Sequence, residues 1–326
     1  MPLHHAGLRY PHERVLLPRT KLAYVHLQNL LTDAKRDRSA RVFGYVGIWL
    51  PDEVLLLYLQ SGEVVNATCK EGEHFSVVPI ASALERVPHE PELGEICFHE
   101  ADDEQLACMF ATQVTPPDPW PEEVLPEDPG TLFPHLMSIT YDGVVEVVLD
   151  GYVNFLIFRD GIVARAFLSG PAKGTFVERM QALFAEGKSG SRLVRRWPVP
   201  APLPHQTPPA LVQAYRELSE SLVQRLVESG RESAPEIAEH ARRTLLEKHP
   251  ALERFAPDNG RPRHDPAEEM SAVTSAIAAW LAEVLWTAAD HDTVSPEALL
   301  RDLTRERRHM LQSAGFYEQL PFKIEW

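Results

Sequence analysis

The sequence has few of the features that mark a metal protein or a common enzyme class. Only three cysteines occur, Cys69, Cys97 and Cys108, and no two of them have the CxxC spacing of a zinc or redox site. Their odd number also argues against a disulfide framework, so buried free thiols in a reducing compartment are expected. The patterns GxxxxGK[ST], GxGxxG, GxSxG and HExxH are missing too. The common nucleotide, acyl-transfer and zinc-protease sites therefore lack their local signatures.

Basic residues and long apolar runs are also scarce. The chain has 32 Lys and Arg against 47 Asp and Glu, a net charge of -15, so its field repels a polyphosphate backbone. No nucleic-acid partner is expected. The N-terminal MPLHHAGLRYPHERV lacks the apolar core of a signal peptide, and no later stretch has the ~18 uninterrupted apolar residues of a membrane span. The sequence predicts a cytoplasmic protein with no membrane segment.

Proline, in contrast, is abundant, with 28 residues. Two segments hold a large share of them, and because proline fixes φ and lacks a backbone donor, neither segment can be a helix or a central strand. They divide the chain into a first α+β module (1–114), a Pro-rich linker (115–130), a second α+β module (131–197), a second Pro-rich linker (198–209), and a helical bundle with an aromatic tail (210–326).

An internal repeat is the strongest pattern in the chain. Residues 44–67 (the first copy) align without a gap on residues 143–166 (the second copy), at an offset of 99, which is 161 minus 62. Eight of the 24 aligned pairs are identical, where average composition gives about two. The identical residues are all apolar or glycine, so the copies share a scaffold rather than a catalytic set.

Each copy predicts a meander of three strands. In the first copy the strands fall at about 42–50, 53–60 and 63–69, after a leading helix that carries Leu22 to Leu31 and ends in basic residues. In the second copy Asp150-Gly151 and Asp160-Gly161 separate β-rich runs, and a type I′ turn requires positive φ at both positions. Gly62, Gly151 and Gly161 are therefore predicted turn glycines.

A helix and a further strand follow each meander. Residues 77–87 and 174–186 have helical spacing, and strand-like runs follow at 95–99 with 106–114, and at 191–197. The predicted fold class is α+β: two tandem antiparallel-sheet modules with flanking helices, followed by an all-α C-terminal helical bundle.

This order of elements resembles a known family. The residues that carry the resemblance are Leu59–Ala67 (LQSGEVVNA) and Phe158–Ala166 (FRDGIVARA), preceded in the first copy by Leu27–Leu31 (LQNLL). They are similar to the PATAN-type module of bacterial signalling proteins, also called the DUF4388 domain, over roughly residues 20–197. The resemblance implies a regulatory module that acts through protein contacts, often beside receiver domains, rather than by catalysis.

The last third of the chain predicts four amphipathic helices. The first covers 210–229 and stops at Gly230. The second begins at Ser233 with Glu236 at the capping-box position, the third is capped by Asp265, and the fourth begins at Ser295-Pro296. Helices of this length and number predict an antiparallel bundle.

An aromatic tail, GFYEQLPFKIEW, ends the chain. Its rings are Phe316, Tyr317, Phe322 and Trp326. Two interpretations stay open: the tail packs onto its own bundle, or it docks on a partner protein. The four aromatic residues are therefore candidate interaction residues.

Two groups of polar residues offer other chemistries. His240, His264-Asp265 and His291-Asp292 suggest an HD-type phosphohydrolase, in which His and Asp from several helices bind one or two metal ions. The acidic run 99–104 (HEADDE) suggests a cation site, but it lacks the spacing of an EF-hand loop and is better explained as a solvated turn between strands.

The sequence as a whole favours a non-enzymatic regulatory or adaptor protein of bacterial signal transduction. No catalytic, cofactor-binding or metal-binding residue is assigned, and the expected partners are proteins. Recognition is expected on an exposed sheet face or edge of one module, or in the groove between modules. The alternatives are the phosphohydrolase and a small-molecule sensor with an apolar pocket inside one module.

Overall fold

A computed structural model describes residues 7–36, 42–72, 74–88, 93–170, 174–185, 192–256, 265–288 and 295–326. Within these ranges the chain is a mixed α/β protein with a six-stranded and a four-stranded antiparallel sheet. It divides into two compact units, Met1–Val78 with Glu85–Pro204 and Pro79–Leu84 with His205–Trp326.

The strands and helices follow one another in an order that begins with a strand and ends in helices. The strands are β1 (Arg14–Lys21), β2 (Gly44–Trp49), β3 (Glu53–Gln60), β4 (Glu63–Glu71), β5 (His74–Val77), β6 (Glu95–Glu100), β7 (Gly143–Leu149), β8 (Tyr152–Arg159), β9 (Ile162–Phe167) and β10 (Arg192–Pro198). The helices are α1 (Leu27–Arg36), α2 (Ile80–Glu85), α3 (Asp103–Val114), α4 (Pro129–Ser138), α5 (Phe176–Phe184), α6 (Pro209–Glu228), α7 (Ala234–Leu245), α8 (Met270–Ala288), α9 (Pro296–Thr304) and α10 (Arg308–Ser313).

The two sheets repeat one strand order and one register. The central order β6-β2-β3-β4 of the larger sheet matches the order β10-β7-β8-β9 of the smaller sheet. Leu57 pairs with Ala67 in the first copy, and Leu156 pairs with Ala166 in the second, which preserves the offset of 99. A register shift also occurs at the same place in both copies, between Tyr58 and Leu59 and between Ile157 and Phe158. The sequence repeat is thus a structural repeat.

The two sheets share one hydrophobic core in the first unit. Residues at alternate positions of β2 and β3 pack in one cluster with residues at alternate positions of β7 and β8, as the two-residue period of a strand requires. Their buried members are Tyr45, Trp49, Val54, Leu56 and Tyr58 from the first copy, and Val144, Val148, Val153, Phe155 and Ile157 from the second. The faces of the two modules therefore pack against each other.

Helices cover the opposite face of the smaller sheet. Leu132 and Leu136 of α4, with Leu183 and Phe184 of α5, pack in a second cluster on the outward side chains of β7, β8 and β10. In the first copy the leading helix α1 buries Leu27, Leu31 and Ala34. A sheet that is apolar on both faces needs such a cover on each side.

The hairpin turns have the backbone conformation that their sequences require. Gly62 and Gly161 have φ of 78° and 75°, and Asp150-Gly151 has φ of 51° and 81°. A second reason for glycine is the close approach of the leading helix. A Cβ on Gly161 would lie 2.6 Å from the Cα of Met137 and 2.7 Å from the carbonyl oxygen of Leu136, and Gly62 makes the same approach to Ala34 and Lys35.

The predicted strand at 106–114 is wrong, because these residues form helix α3. Asp102 caps the helix by accepting a hydrogen bond from the Gln105 backbone N–H at 2.8 Å. Asp103 and Glu104 then stabilise the first turn through the helix dipole. The acidic run 99–104 is therefore not a turn between strands; it spans the end of β6 and the start of α3.

The start of the first module also differs from the prediction. The leading helix begins at Leu27, five residues later than Leu22, which lies in a short 3-10 helix. The preceding strand β1 was not predicted, since Pro18 interrupts its pattern, but proline is tolerated on an edge strand such as β1. The helix predicted at 77–87 is the shorter α2, after strand β5.

The predicted domain boundaries change in two places. The modules predicted at 1–114 and 131–197 fall in one compact unit rather than two, and α4 begins at Pro129, inside the predicted linker 115–130. The first linker and the second linker up to Pro204 belong to this unit. Trp120 donates from Nε1 to the Val194 carbonyl at 3.1 Å, and the Pro204 carbonyl accepts a hydrogen bond from Asn66 at 2.8 Å.

The second unit is helical around an apolar core. Helix α6 ends at Glu228, and Gly230 follows with a φ of 93°. The predicted cap at Ser295 is formed, but Asp265 does not cap a helix, because α8 begins at Met270. Ser233 precedes α7 without a side-chain cap, so the predicted capping box with Glu236 is wrong as well.

Helix α8 is the only helix in the described ranges that is long and apolar enough to cross a membrane. The sequence predicts a helix here but no membrane-spanning run, because polar residues interrupt its apolar stretch. Most of the helix lies inside the second unit, where Val273, Ile277 and Leu281 belong to the core.

Gly161→Val is expected to lower the free energy of unfolding by about 3 kcal/mol, since the new side chain adds a clash with α4 to the strain of positive φ. Gly72→Val is the matched control, because Gly72 also has positive φ but its added Cβ would have no neighbour within 4 Å among the described residues. That control is expected to lose about 1 kcal/mol. Urea unfolding measures both, and equal losses would contradict a tight contact between the turn and the helix.

Candidate functional site

The two copies differ most clearly at the exposed end of the β3–β4 and β8–β9 hairpins. In the first copy Lys35 of α1 forms an ion pair with Glu63 at 2.5 Å. In the second copy the equivalent positions are Met137 and Ile162, which are 60% and 64% exposed. An exposed ion pair in one copy is thus replaced by two exposed apolar side chains in the other.

The glycines of the two turns establish this equivalence. Gly62 lies against the carbonyl of Ala34 and the Cα of Lys35, whereas Gly161 lies against the carbonyl of Leu136 and the Cα of Met137. The same backbone hydrogen bond also recurs, from Gly62 to Val42 at 2.8 Å and from Gly161 to Tyr141 at 3.0 Å. Lys35 and Met137 therefore occupy corresponding places.

We call the exposed side chains of Met137, Ile139 and Ile162 the turn patch. All three belong to one corner of the second copy, because the Gly161 backbone joins the β8–β9 turn to the end of α4. Ile139 is 46% exposed. Neighbouring exposed apolar residues of this kind often mark a binding surface.

The edge strand beside the turn patch is also open. Ala164 and Arg165 of β9 are exposed, whereas Val65 and Asn66 at the aligned positions of β4 are buried. In the first copy, the chain itself covers this edge: the Val78 backbone N–H donates to the Ala67 carbonyl at 3.1 Å, and Asn66 bonds to Pro204. No strand of the described ranges pairs with the outer edge of β9.

A second difference lies between the sheets. In the first copy Gly47 of β2 pairs with Cys97 of β6 on the shared inner face. In the second copy the same pair of positions holds Glu146 of β7 and Arg195 of β10. Arg195 donates from Nε and Nη2 to one Glu146 carboxylate oxygen, at 2.8 and 2.5 Å.

This carboxylate lines a cavity of about 700 Å³ in the first unit, which we call the Glu146 cavity. Burial raises the pKa of Glu146, while Arg195 and Lys70 act in the opposite direction. Lys70 also lines the cavity, and its ammonium lies 5.6 Å from the centroid of the Phe75 ring. Both Glu146 and Lys70 are more than nine-tenths buried.

A second inter-sheet cavity, of about 670 Å³, is lined by His12 and His99. The two imidazole rings are 4.3 Å apart, and the Tyr45 hydroxyl lies 2.8 Å from Nδ1 of His99. Leu8 and Tyr10 line both cavities. Their segment is held by backbone hydrogen bonds from Arg9 to Gly151 and from Val153 to Arg9, both at 2.9 Å.

The three cysteines are buried and unpaired, as the sequence predicts. Burial raises the pKa of each thiol to about 12, so all three remain protonated at neutral pH. Cys69 with Glu53 and Glu71 forms the only group in the described ranges with metal-ligand spacing. The Arg86 guanidinium bonds to all three, at 2.7 Å to Glu53 and 3.3 Å to Cys69. One cationic side chain therefore already pairs with both carboxylates.

The aromatic tail packs mainly on its own helices. Phe316 is fully buried in the core of the second unit, and Tyr317 and Phe322 pack against that core. Trp326 is 45% exposed, and its ring contacts Tyr317 and the Arg308 guanidinium. The assignment of Phe316 as an interaction residue is wrong, because no part of its side chain is available to a partner.

The histidine and aspartate residues of the phosphohydrolase alternative are only partly described. His240 is exposed on α7, and Asp265 forms a largely buried ion pair with Arg216 at 2.5 Å. His264, His291 and Asp292 lie outside the described residues.

Sequence reasoning missed the polar residues between the sheets. Glu146 is the one charged residue in the apolar strand β7, and its alignment with Gly47 would have marked it as unusual. Its partner Arg195 lies 49 residues later, so the pair itself has no local signature. A signal for the turn patch was present in the repeat alignment, because the charged Glu63 aligns with the apolar Ile162.

Comparison with known proteins adds no relative: no family model, no curated protein and no solved structure matches the chain.

The burial of His99 in the second cavity predicts how the stability of the protein depends on pH. Burial, with a contribution from His12, lowers the pKa of His99 to about 4, whereas an unfolded histidine has a pKa of about 6.5. Between these values the unfolded chain binds the extra proton, so stability falls as the pH drops from about 6.5 towards 4. We expect a loss of about 1 to 2 kcal/mol after allowance for solvent screening.

Urea unfolding at pH 7 and pH 4.5 measures this loss. His99→Asn is expected to reduce the difference between the two pH values, while His240→Asn, on an exposed helix surface, is expected to leave it unchanged. A pH difference that is the same in wild type and His99→Asn would contradict the assignment.

Proposed function

We propose that the protein is a non-enzymatic regulatory or adaptor protein that binds a partner protein through the open edge of its second module. The observation that supports this proposal most is the contrast between the two copies. Both have the same buried scaffold, but only the second exposes an apolar corner beside an uncovered strand. Two tandem α+β modules followed by a helical bundle suit a protein that holds partners together.

The proposed occupant is a short extended segment of a partner, added to the sheet as a strand next to β9. An open edge offers backbone donors and acceptors to such a segment, and pockets or patches beside it select its side chains. The backbone bond from Val78 to Ala67 at the corresponding edge of the first copy supports this mode of binding. The turn patch favours an apolar residue in the partner near Ile162.

The resemblance to PATAN-type modules supports the same role, because that family is thought to act through protein contacts in bacterial signalling. The phosphohydrolase and the small-molecule sensor remain the competing functions. The sensor does not exclude the adaptor, since no residue of β9 lines the Glu146 cavity.

A photo-crosslinking residue at position 164, on the exposed edge of β9, tests the proposal in the native cell extract. Mass spectrometry of the adduct identifies the partner and the segment that it contributes. The affinity of the full-length protein for that segment is then measured by calorimetry. Ile162→Glu, which gives the second copy the residue of the first, is expected to weaken binding by about tenfold or more.

Glu63→Gln is the matched control, since it changes the same position in the first copy and is expected to leave the affinity unchanged. Both positions are exposed, so the unfolding midpoint of each variant is expected to stay close to wild type. Crosslinks only to a second copy of the chain would contradict the proposal, as would a partner that binds Ile162→Glu normally. Metal-stimulated phosphohydrolase turnover that disappears in His291→Ala would also reject it.

A further inference from the structure

The second inter-sheet cavity, which we call the His99 cavity, lacks the internal ion pair that the Glu146 cavity contains. In the Glu146 cavity the guanidinium of Arg195 is paired with the carboxylate of Glu146. The aligned pair of positions in the first copy holds Cys97 and Gly47, and Cys97 lines the His99 cavity. The repeat therefore supplies a carboxylate to one cavity and small uncharged residues to the other.

Three arginines and one glutamate line the His99 cavity, and two of these four residues are paired with opposite charges. Arg19 forms an ion pair with Glu95 at 2.5 Å. The single carboxylate of the lining, on Glu13, lies 3.9 Å from the Arg165 guanidinium. Because each of these two side chains has a counter-charge beside it, they add little net charge to the cavity.

The other two arginines of the lining, Arg9 and Arg179, have only neutral partners among the described residues. Arg9 donates from Nη1 to the Tyr152 hydroxyl, and its guanidinium lies 4.9 Å from the centroid of the same ring. Arg179 donates from Nη2 to the carbonyl oxygens of Leu168 and Gly170, at 3.0 and 3.3 Å. The cavity therefore keeps two positive charges without a counter-charge, in a chain whose net charge is -15.

Both guanidiniums keep donors for a further acceptor. Within the described part of the chain, Arg9 uses only Nη1 and Arg179 only Nη2 for side-chain hydrogen bonds. The Arg9 backbone is held by its bonds to Gly151 and Val153, and Arg179 is held by helix α5. A guanidinium presents five N–H donors and binds the oxygens of a phosphate in pairs. Two of them at one cavity therefore suit a phosphate group.

The remaining walls of the His99 cavity are largely aromatic. They include the rings of Tyr10, Trp49 and Tyr152 and the imidazoles of His12 and His99. His12 is exposed, so the cavity opens to solvent. Its volume of about 670 Å³ falls within the range of pockets that hold small organic ligands. The lining thus combines a cationic, donor-rich part with flat walls that accommodate a ring.

We propose that the His99 cavity binds a small organic phosphate. Arg9 and Arg179 bind its dianionic phosphate group, which neutralises both guanidiniums, and the aromatic side chains contact its body. Both modules contribute to the site, His99 from the first and Tyr152 from the second. The site does not depend on the partner-binding edge of β9, because no residue of that strand lines the cavity.

Three probes with the same two rings test the proposal with the full-length protein, by isothermal titration calorimetry. The probes are 1-naphthyl phosphate, 1-naphthalenesulfonate and uncharged 1-naphthol. The titrations are run at about pH 8, where a phosphate monoester with a second pKa of about 6 is a dianion. We expect saturable binding of one 1-naphthyl phosphate per chain, with an affinity about tenfold or more above that of the other two probes.

Arginine variants locate the binding. Arg9→Met and Arg179→Met are each expected to weaken the binding of 1-naphthyl phosphate by about tenfold while changing the affinity for 1-naphthol by less than about twofold. Arg9 is exposed, so Arg9→Met serves if Arg179→Met does not fold. Arg14→Met is the matched control, because it removes an exposed guanidinium of the same unit that does not line the cavity. This control is expected to bind all three probes as wild type does.

Three results would overturn the site. The first is binding of 1-naphthyl phosphate that does not saturate, and the second is an equal affinity for the phosphate and the singly charged sulfonate. The third is a loss of affinity in Arg14→Met as large as that in Arg9→Met. None of these variants alters the turn patch or β9, so partner binding can fail or succeed independently of this site.

Discussion

The first unit depends on the burial of two sheet faces against each other. Each of the central strands β2, β3, β7 and β8 is apolar on both sides, so a single sheet covered by helices on one side would leave a large apolar surface in water. Burying such a surface is worth about 25 cal/mol per Å². The helices cover the outer face of each module, and the other module covers the inner one. The order of strands and their common register keep these faces matched.

Comparison of the two copies distinguishes residues that the fold requires from residues that it does not require. Positions that hold the scaffold together are alike in both copies, as Gly62 and Gly161 show at the turns and Leu57 and Leu156 show in the core. Two sets of positions that differ are chemically opposite: an ion pair against two apolar side chains at the hairpin end, and glycine with cysteine against a carboxylate with a guanidinium between the sheets. One copy thus serves as a reference for the other within a single chain.

The sequence could predict the parts of the fold that depend on local chemistry. The meander, its turns and the repeat follow from Asp-Gly pairs and from alternating apolar residues, and helices α5, α6 and α9 follow from their spacing and caps. Helix α3 was misread because its residues are buried nearly all round, which hides the helical period. The Glu146 cavity depends on residues from β4, β7, β10 and α3, whose meeting is set by the packing of two sheets. No local pattern in the sequence contains that information.

The two modules of the first unit are joined by an irregular linker and share one core. Modules connected in this way can be exchanged between two neighbouring chains. If the segment between α3 and α4 opened, the first module of one chain could close on the second module of another with every inner contact preserved. Such domain swapping would produce an intertwined dimer whose cores are the same as those of the monomer, and only the linker would differ. High protein concentration would favour this species without any change in the amino-acid sequence.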